Sequence, residues 1–262
     1  MNSAFSFYIF PIVIFCVFFL IIPLLYILYL FIIYKSQEKE YLESTYYKIT
    51  HTPFRAMRTD SGKYGEYLIY HYLKNYENKG AKFLFNCYLP RENEETTEID
   101  VLMIHKSGIY VFESKNYSGW IFGNENNKTW TQTLPSGRKS HKEHFLNPIM
   151  QNKLHIKWLK EIIGNEYPIY SIIVFSERCT LKKIELKSNS IKVIKRKEVV
   201  NTVNQIDESC DILNEEKIAE INDKLYSYTQ ITETEKEKHI ENIINRNPEI
   251  KNTISETSKK SG

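Results

Sequence analysis

The first 34 positions of the chain hold no charged side chain, and Ile, Phe, Leu, Val and Tyr dominate them. A helix of about 20 such residues crosses a bilayer core, so the run predicts a transmembrane anchor over residues 1–34, with Pro11 and Pro23 kinking it or marking its entry. A cleaved signal peptide fits less well, because no basic segment precedes the run and no small-residue cleavage site closes it. Residues 35–58 turn polar and Tyr-rich, which predicts a juxtamembrane helix or linker. Residues 59–228 then switch between helical and strand-like apolar spacing. "SGKYGEYLIYHYLKNYENKG" predicts a helix with Tyr64, Leu68, Tyr72 and Leu73 on one side, capped by Ser61 and closed by Gly80. "KFLFNCYL" predicts a strand, and "EIDVLMIH" and "GIYVFESK" two more, joined as a hairpin at Lys106 and Ser107. "GWIFGNENNKTWTQ" predicts a further strand pair or a strand and loop. "NPIMQNKLHIKWLKEIIG" predicts a helix opened by Pro148, with a stripe of Ile149, Leu154, Trp158, Leu159 and Ile162. "YPIYSIIVFS" reads as a central strand covered on both faces, "IKVIKR" as one more strand, and residues 213–228 as a last helix. This order is that of an α/β domain, a mixed central sheet flanked by helices, preceded by one transmembrane helix. Residues 229–262 contain no aromatic side chain, which predicts a frayed helix passing into a polar, disordered tail.

Charge changes the picture in one respect. Lys and Arg number 35 against 32 Asp and Glu, so the net charge of +3 does not demand a polyanionic partner, and any nucleic-acid affinity must come from a local patch. The flanks of the apolar run differ more. Lys35, Lys39, Lys48, Arg55 and Arg58 follow it and no basic side chain precedes it, which places residues 35 onward in the cytoplasm. The cysteines Cys16, Cys87, Cys179 and Cys210 show no CxxC spacing. That argues against a disulfide framework and a zinc knot, and suits a reducing compartment.

The hairpin carries the candidate chemistry. Either a two-residue or a four-residue loop sets a register that puts Asp100 across from Glu113. Strand alternation puts Lys115 on the same face, beside apolar Leu102, Ile104, Ile109 and Val111. Two carboxylates ~5 Å apart repel by roughly 3 kcal/mol at an effective dielectric near 20. A proton, Lys115 or a divalent cation must offset this. Mg²⁺ suits two carboxylates plus a substrate phosphate, and an adjacent ammonium can contact the scissile phosphate or the attacking water. That is equipment for phosphodiester hydrolysis. Glu66, preceded by Gly65, can reach the same place from the first helix, and Gln151 can contact a metal-bound water, a base or a phosphate. An isolated Glu-x-Lys is ordinarily a solvated ion pair; Asp100 in register and Glu66 upstream make this one a candidate site.

Other signals are less directed. "HKEH" at 141–144 spaces two histidines for zinc but lacks a third ligand, so a polar loop is predicted there. The longer "GRKSHKEH" loop either touches phosphates or is simply solvated. "LKKIELKSNSIKVIKRK" is either one face that tracks a phosphate backbone or lysines protecting a sheet edge. Trp120, Trp130 and Trp158 are candidates for base stacking or for packing, with Trp158 assigned to the core.

"GKYGE", "EID", "VFESKNYSGWIFG" and "NPIMQN" occur in this order across roughly residues 60–176. Together they resemble the nuclease-related domain (NERD) family, a branch of the PD-(D/E)xK nuclease superfamily. The motifs are specific in combination rather than singly. The resemblance implies a restriction-endonuclease-like fold and DNA processing with Mg²⁺ or Mn²⁺. Asp100 and Glu113 would be metal ligands, and Glu66 the acidic residue of the first core helix. Lys115 would orient or deprotonate the nucleophilic water, and Gln151 would match the glutamine of the following helix. In the related RecB-like branch a tyrosine stands four residues after that glutamine; here His155 does. The expectation is a membrane-anchored, metal-dependent nuclease acting on DNA. Its rival is a tethered module of the same fold that holds nucleic acid or protein without cutting.

Overall fold

The computed structural model describes residues 15, 17–136, 139–188, 190–207 and 212–246. The chain divides into two compact units, residues 1–48 and 49–262. In the first, helix α1 (Val17–Glu43) has 27 residues, with a mean hydropathy of 2.7 in its most apolar window and no part of that window buried. At 1.5 Å per residue it is ~40 Å long, enough to cross a membrane. A π-helical turn, Val17–Ile21, comes just before Pro23, where the missing N–H would break a regular ladder. Of the anchor predicted over residues 1–34, positions 1–14 and 16 lie outside the described residues, Pro11 and Cys16 among them. So do Cys210 and residues 247–262 of the predicted tail.

The second unit is built on two mixed sheets. Helix α2 (Ser61–Leu73) passes into a 3-10 turn that ends at Gly80 in the left-handed region, φ 84°. Strands β1 (Lys82–Pro90), β2 (Thr96–His105) and β3 (Gly108–Lys115) follow as an antiparallel meander. Strands β4 (Gly119–Asn124), β5 (Thr129–Ser136) and β6 (Lys139–Leu146) form a second meander. Helix α3 (Pro148–Ile163) returns the chain to β7 (Ile169–Phe175), which pairs parallel with β3. Strand β8 (Cys179–Glu185) joins the second sheet parallel to β4, and β9 (Ile191–Lys195) joins the first parallel to β7. The orders are β1-β2-β3-β7-β9 and β6-β5-β4-β8. Helices α4 (Val199–Asp207), α5 (Glu215–Tyr226) and α6 (Glu233–Arg246) complete the described chain.

The predicted central strand is central: Ile172, Ile173, Val174 and Phe175 of β7 are wholly buried. Between the sheets, Ile121, Trp130, Ile149, Ile173 and Phe175 form one cluster, with Trp130 stacked on Phe175. Several expectations are corrected. The buried face of α2 is Gly65, Ile69, Tyr70 and Leu73, while Tyr64 and Tyr72 are exposed. The stripe is therefore turned by about one residue, because Tyr70 packs edge-on against Phe83 and Phe85 of β1. The polar loop predicted at 141–144 lies inside strand β6. Pleat alternation sends His141 and His144 to opposite faces, so they cannot share a zinc ion. The basic run from 181 to 197 does not make one face, since β8 and β9 belong to different sheets. The helix expected at the start of the tail is α6, but its His239 is buried rather than frayed into solvent. Trp158 is half-buried and lies under Lys157.

Candidate functional site

The site forms where three elements end together. Helix α2 is capped by Asp60 rather than by Ser61: its Oδ1 accepts the N–H groups of Gly62 at 2.8 Å and Lys63 at 3.1 Å. Asp60 precedes the first helical residue, so its extended backbone (ψ 119°) aims the carboxylate at those N–H groups. The side-chain amide of Asn116 donates to the Ser61 carbonyl, which ties the exit of β3 to the start of α2. Gly65 permits this approach. A Cβ there would stand 2.7 Å from Ser114 Oγ. The next residue, Glu66, lines the cleft that results.

The hairpin has the predicted register. Its ladder runs from His105↔Gly108 to Val101↔Phe112 and stops one step before Asp100 and Glu113. Asp100 spends its carboxylate on the opposite strand, where Oδ2 accepts the Ser114 N–H at 2.8 Å. Glu113 is almost wholly buried, and both its oxygens are engaged. Lys115 Nζ lies 2.6 Å from Oε1 and His155 Nε2 lies 3.1 Å from Oε2. The other ring nitrogen of His155 is 2.7 Å from Thr97 Oγ1. Helix α3 supplies His155 and, one turn earlier, Gln151 on the same side. Its start is fixed by Asn147, whose Oδ1 accepts the Ile149 N–H at 2.9 Å, with Pro148 in the first turn.

Glu66, Asp100, Glu113, Lys115 and Gln151 thus line one cleft of about 420 Å³. Lys115 is on Glu113, and Asp100 is on the β3 backbone beside it. Glu66 comes from α2 and Gln151 from α3. Among the other lining residues, Glu98, Arg91 and His239 were not picked out from sequence, and His155 was noted there only as the residue that replaces a tyrosine. Glu98 lies two residues before Asp100, so strand alternation could have found it. His155 lies four residues after Gln151, the helical spacing that puts both on one side of α3. His239 is 143 positions from Thr96, which it meets at 2.7 Å, and no local pattern announces that contact. It also packs edge-on against Tyr88, and its Nε2 lies 3.8 Å from Glu98.

The electrostatics are those of a crowded acidic cleft. Burial, then the neighbouring Glu113 and Glu66, push the Asp100 carboxyl well above the usual carboxylate range. Burial would raise Glu113 too, but Lys115 and His155 outweigh it and hold the carboxyl down at about 2. Burial opposes the charge on Lys115, and Glu113 and Asp100 overcome it, raising the ammonium. Burial raises Glu98 as well, with a Tyr88 hydrogen bond opposing. One carboxylate is therefore stabilised by the cations present, and its neighbour is short of positive charge.

That shortage bears on a metal. Among the described residues no three His, Cys, Asp or Glu side chains are grouped as a finished ligand set. The donor chemistry nevertheless fits a hard divalent cation, because Asp100, Glu113 and Glu66 offer carboxylate oxygens. Gln151 Oε1 is a buried carbonyl oxygen with no hydrogen-bond partner, and it lines the same cleft. A cation at Glu113 would take over one oxygen now held by Lys115 or His155.

Comparison with known proteins agrees with this geometry. The chain is 36% identical over 133 residues to an uncharacterized protein of Bacillus anthracis, in an alignment covering 51% of this chain and 61% of that relative. The chain thus spans less than two thirds of that relative's length. No solved structure matches the chain. The family model described as the nuclease-related domain matches residues 61–176, a stretch that begins at α2, ends just after β7, and contains Glu66, Asp100, Glu113, Lys115 and Gln151. This region of the chain therefore belongs to the nuclease-related domain family, NERD, whose general class is the PD-(D/E)xK nucleases.

Proposed function

We propose that the second unit is a divalent-metal-dependent nuclease with a restriction-endonuclease-like core, hydrolysing phosphodiester bonds in DNA. In this reading helix α1 tethers it to a membrane, and Lys35, Lys39 and Lys48 after the apolar run support a cytoplasmic domain. The observation that carries the activity is the meeting of Asp100, Glu113, Lys115, Glu66 and Gln151 in one cleft from four elements, β2, β3, α2 and α3. Asp100 and Glu113 would hold Mg²⁺ or Mn²⁺, with Glu66 assisting. The cation would lower the pKa of a bound water and stabilise charge on the phosphoryl oxygens. Lys115 stands beside Glu113 as an ammonium, so it serves as an electrostatic partner for a phosphoryl oxygen and orients the attacking water. Gln151 Oε1, buried and without a hydrogen-bond partner, would accept a hydrogen bond from that water. His155 holds Oε2 of Glu113 and Lys115 holds Oε1, so the two together fix the carboxylate in the cleft.

A second reading has one observation in its favour. Both oxygens of Glu113 already have protein partners, as in a module that binds nucleic acid without cutting it. The test uses full-length protein in detergent with single- and double-stranded DNA, in Mg²⁺, Mn²⁺ or chelator. The nuclease reading expects cleavage in metal that chelator and Asp100→Asn both abolish. If neither metal supports cleavage of any substrate while DNA is bound, the binding module is the better account.

A further inference from the structure

The second sheet has a face that the proposed chemistry does not use. Its inner face packs Ile121, Trp130, Phe145, Leu181 and Ile184 into the core. Pleat alternation and the pairing register set the other face. Trp120 stands beside Thr133, which stands beside Lys142, and Phe122 stands beside Thr131, which stands beside His144. The Thr131 hydroxyl and His144 Nδ1 lie 3.2 Å apart, in keeping with that register. On the other flank of β4, a register shift in β8 between Leu181 and Lys183 sends Lys182 over the Trp120 ring, 5.2 Å from its centroid, and brings Lys183 beside Phe122. Trp120 is 46% exposed, a large share for the heaviest side chain in the chain, and it carries a cation above its ring.

This combination has a chemical meaning. An exposed indole on a sheet offers a π-face to a planar base, and adjacent lysines offer charge to its phosphates. Among the described residues, three lysines on the face meet one glutamate, Glu185, which Asn124 and Lys183 hold at the end away from Trp120. The face also runs into the cleft. Leu146 lies two residues, ~7 Å, beyond His144 on the same side of β6, and it is one of the cleft's lining residues. A duplex presents its bases edge-on and keeps their faces stacked, so it cannot use the Trp120 ring; an unpaired strand can.

We infer that the open face of the second sheet, centred on Trp120 with Lys182, Lys183 and Lys142, binds single-stranded nucleic acid and leads it past Leu146 to the cleft. The inference takes its ligand class from the nuclease reading of that cleft, but it does not depend on cleavage. It is therefore tested in chelator, where failure to cut and failure to bind are separate results. Full-length protein in neutral nanodiscs is titrated with a fluorescein-labelled 20-nucleotide oligo(dT) and with a duplex of equal length, at two salt concentrations. The expected result is tighter binding of the single strand. Trp120→Ala should weaken it about 10-fold, the low end for loss of one stacked base, and Trp120→Phe should restore most of it. Lys182→Ala should flatten the salt dependence by about one ion. Equal single-strand affinity in wild type and Trp120→Ala overturns the inference, as does a preference for the duplex that Trp120→Ala leaves unchanged. It is also overturned if phosphatidylserine nanodiscs shift tryptophan emission in the wild type but not in Trp120→Ala while oligo(dT) shifts neither, since the face would then serve a lipid surface.

Discussion

Replacing Asp100 by Asn removes one of two neighbouring carboxylates and keeps an oxygen to accept the Ser114 N–H now 2.8 Å away. In metal-free protein this should raise stability. The register puts the two carboxylates ~5 Å apart, a repulsion of about 3 kcal/mol at an effective dielectric near 20. Lys115, 2.6 Å from Glu113, cancels part of it. A gain of roughly 1–3 kcal/mol remains, and at about 2–4 °C per kcal/mol for a domain of this size Tm rises by several degrees. The effect has a pH signature. Burial and Glu113 raise Asp100 in the folded protein, so the folded chain keeps that proton longer than the unfolded chain does. Wild-type stability is therefore eroded as pH climbs above the unfolded carboxyl value of about 3.9. Glu113, held down to about 2, acts oppositely, and its contribution is lost only as pH falls from about 4.3 toward that value. Asp100→Asn removes the first effect and leaves the second. The advantage of the variant should then be near zero at pH 4 and grow toward pH 8. Saturating Mn²⁺ should reverse the order, since a ligand at 100 times its Kd stabilises the wild type by about 2.7 kcal/mol and the variant loses the site. The assay is thermal unfolding of the full-length protein in detergent, followed by tryptophan fluorescence, in chelator and in a metal series. A variant that is less stable than wild type at pH 8 in chelator would refute the electrostatic account. Equal metal-induced shifts in both proteins would refute the assignment of Asp100 as a ligand.

Other outcomes test the neighbouring contacts. Lys115→Ala should cost about 3 kcal/mol in chemical denaturation, because it strips a cation from a carboxylate that is 5% exposed, so it is not a silent active-site change. Gly65→Ala should destabilise by about 1–2 kcal/mol, since its Cβ meets Ser114 Oγ at 2.7 Å. In a Ser114→Ala background the next atom is at 3.6 Å, and the same change should be neutral or slightly stabilising through helix propensity; additive effects in the double-mutant cycle would contradict the contact. On the proposed nuclease reading, His155→Ala should lower the turnover of DNA more than its binding, because it releases one oxygen of Glu113, and His155→Gln should recover part of the loss in steady-state kinetics.

Much of the fold was legible because local rules decided it. The apolar length of α1, the hairpin turn at Lys106 and Ser107, the Asn147–Pro148 helix start and the all-apolar β7 each follow from steric or solvation preferences within a few residues. The hairpin register that brings Asp100 toward Glu113 was legible for the same reason, although the ladder itself stops at Val101↔Phe112. What failed depended on partners distant in the chain. Tyr64 and Tyr72 have the right spacing to be buried, but Tyr70 won the place against Phe83 and Phe85. The His-rich segment became strand β6 because β5 offered it a complete ladder, which overrode its polar composition. His239 entered the cleft because Tyr88, Thr96 and Glu98 offered it a ring face, a hydroxyl and a carboxylate.

The order of residues alone settled an apolar helix, an α/β domain and an acid pair with an amine, because periodicity and turn geometry act over short stretches. Only the folded chain decided which oxygen of Glu113 belongs to Lys115 and which to His155, how Gly65 lets a helix close on the hairpin, and that an exposed tryptophan shares a face with lysines from two other strands. Those outcomes depend on distances between segments far apart in the chain, and close packing of the whole domain sets such distances.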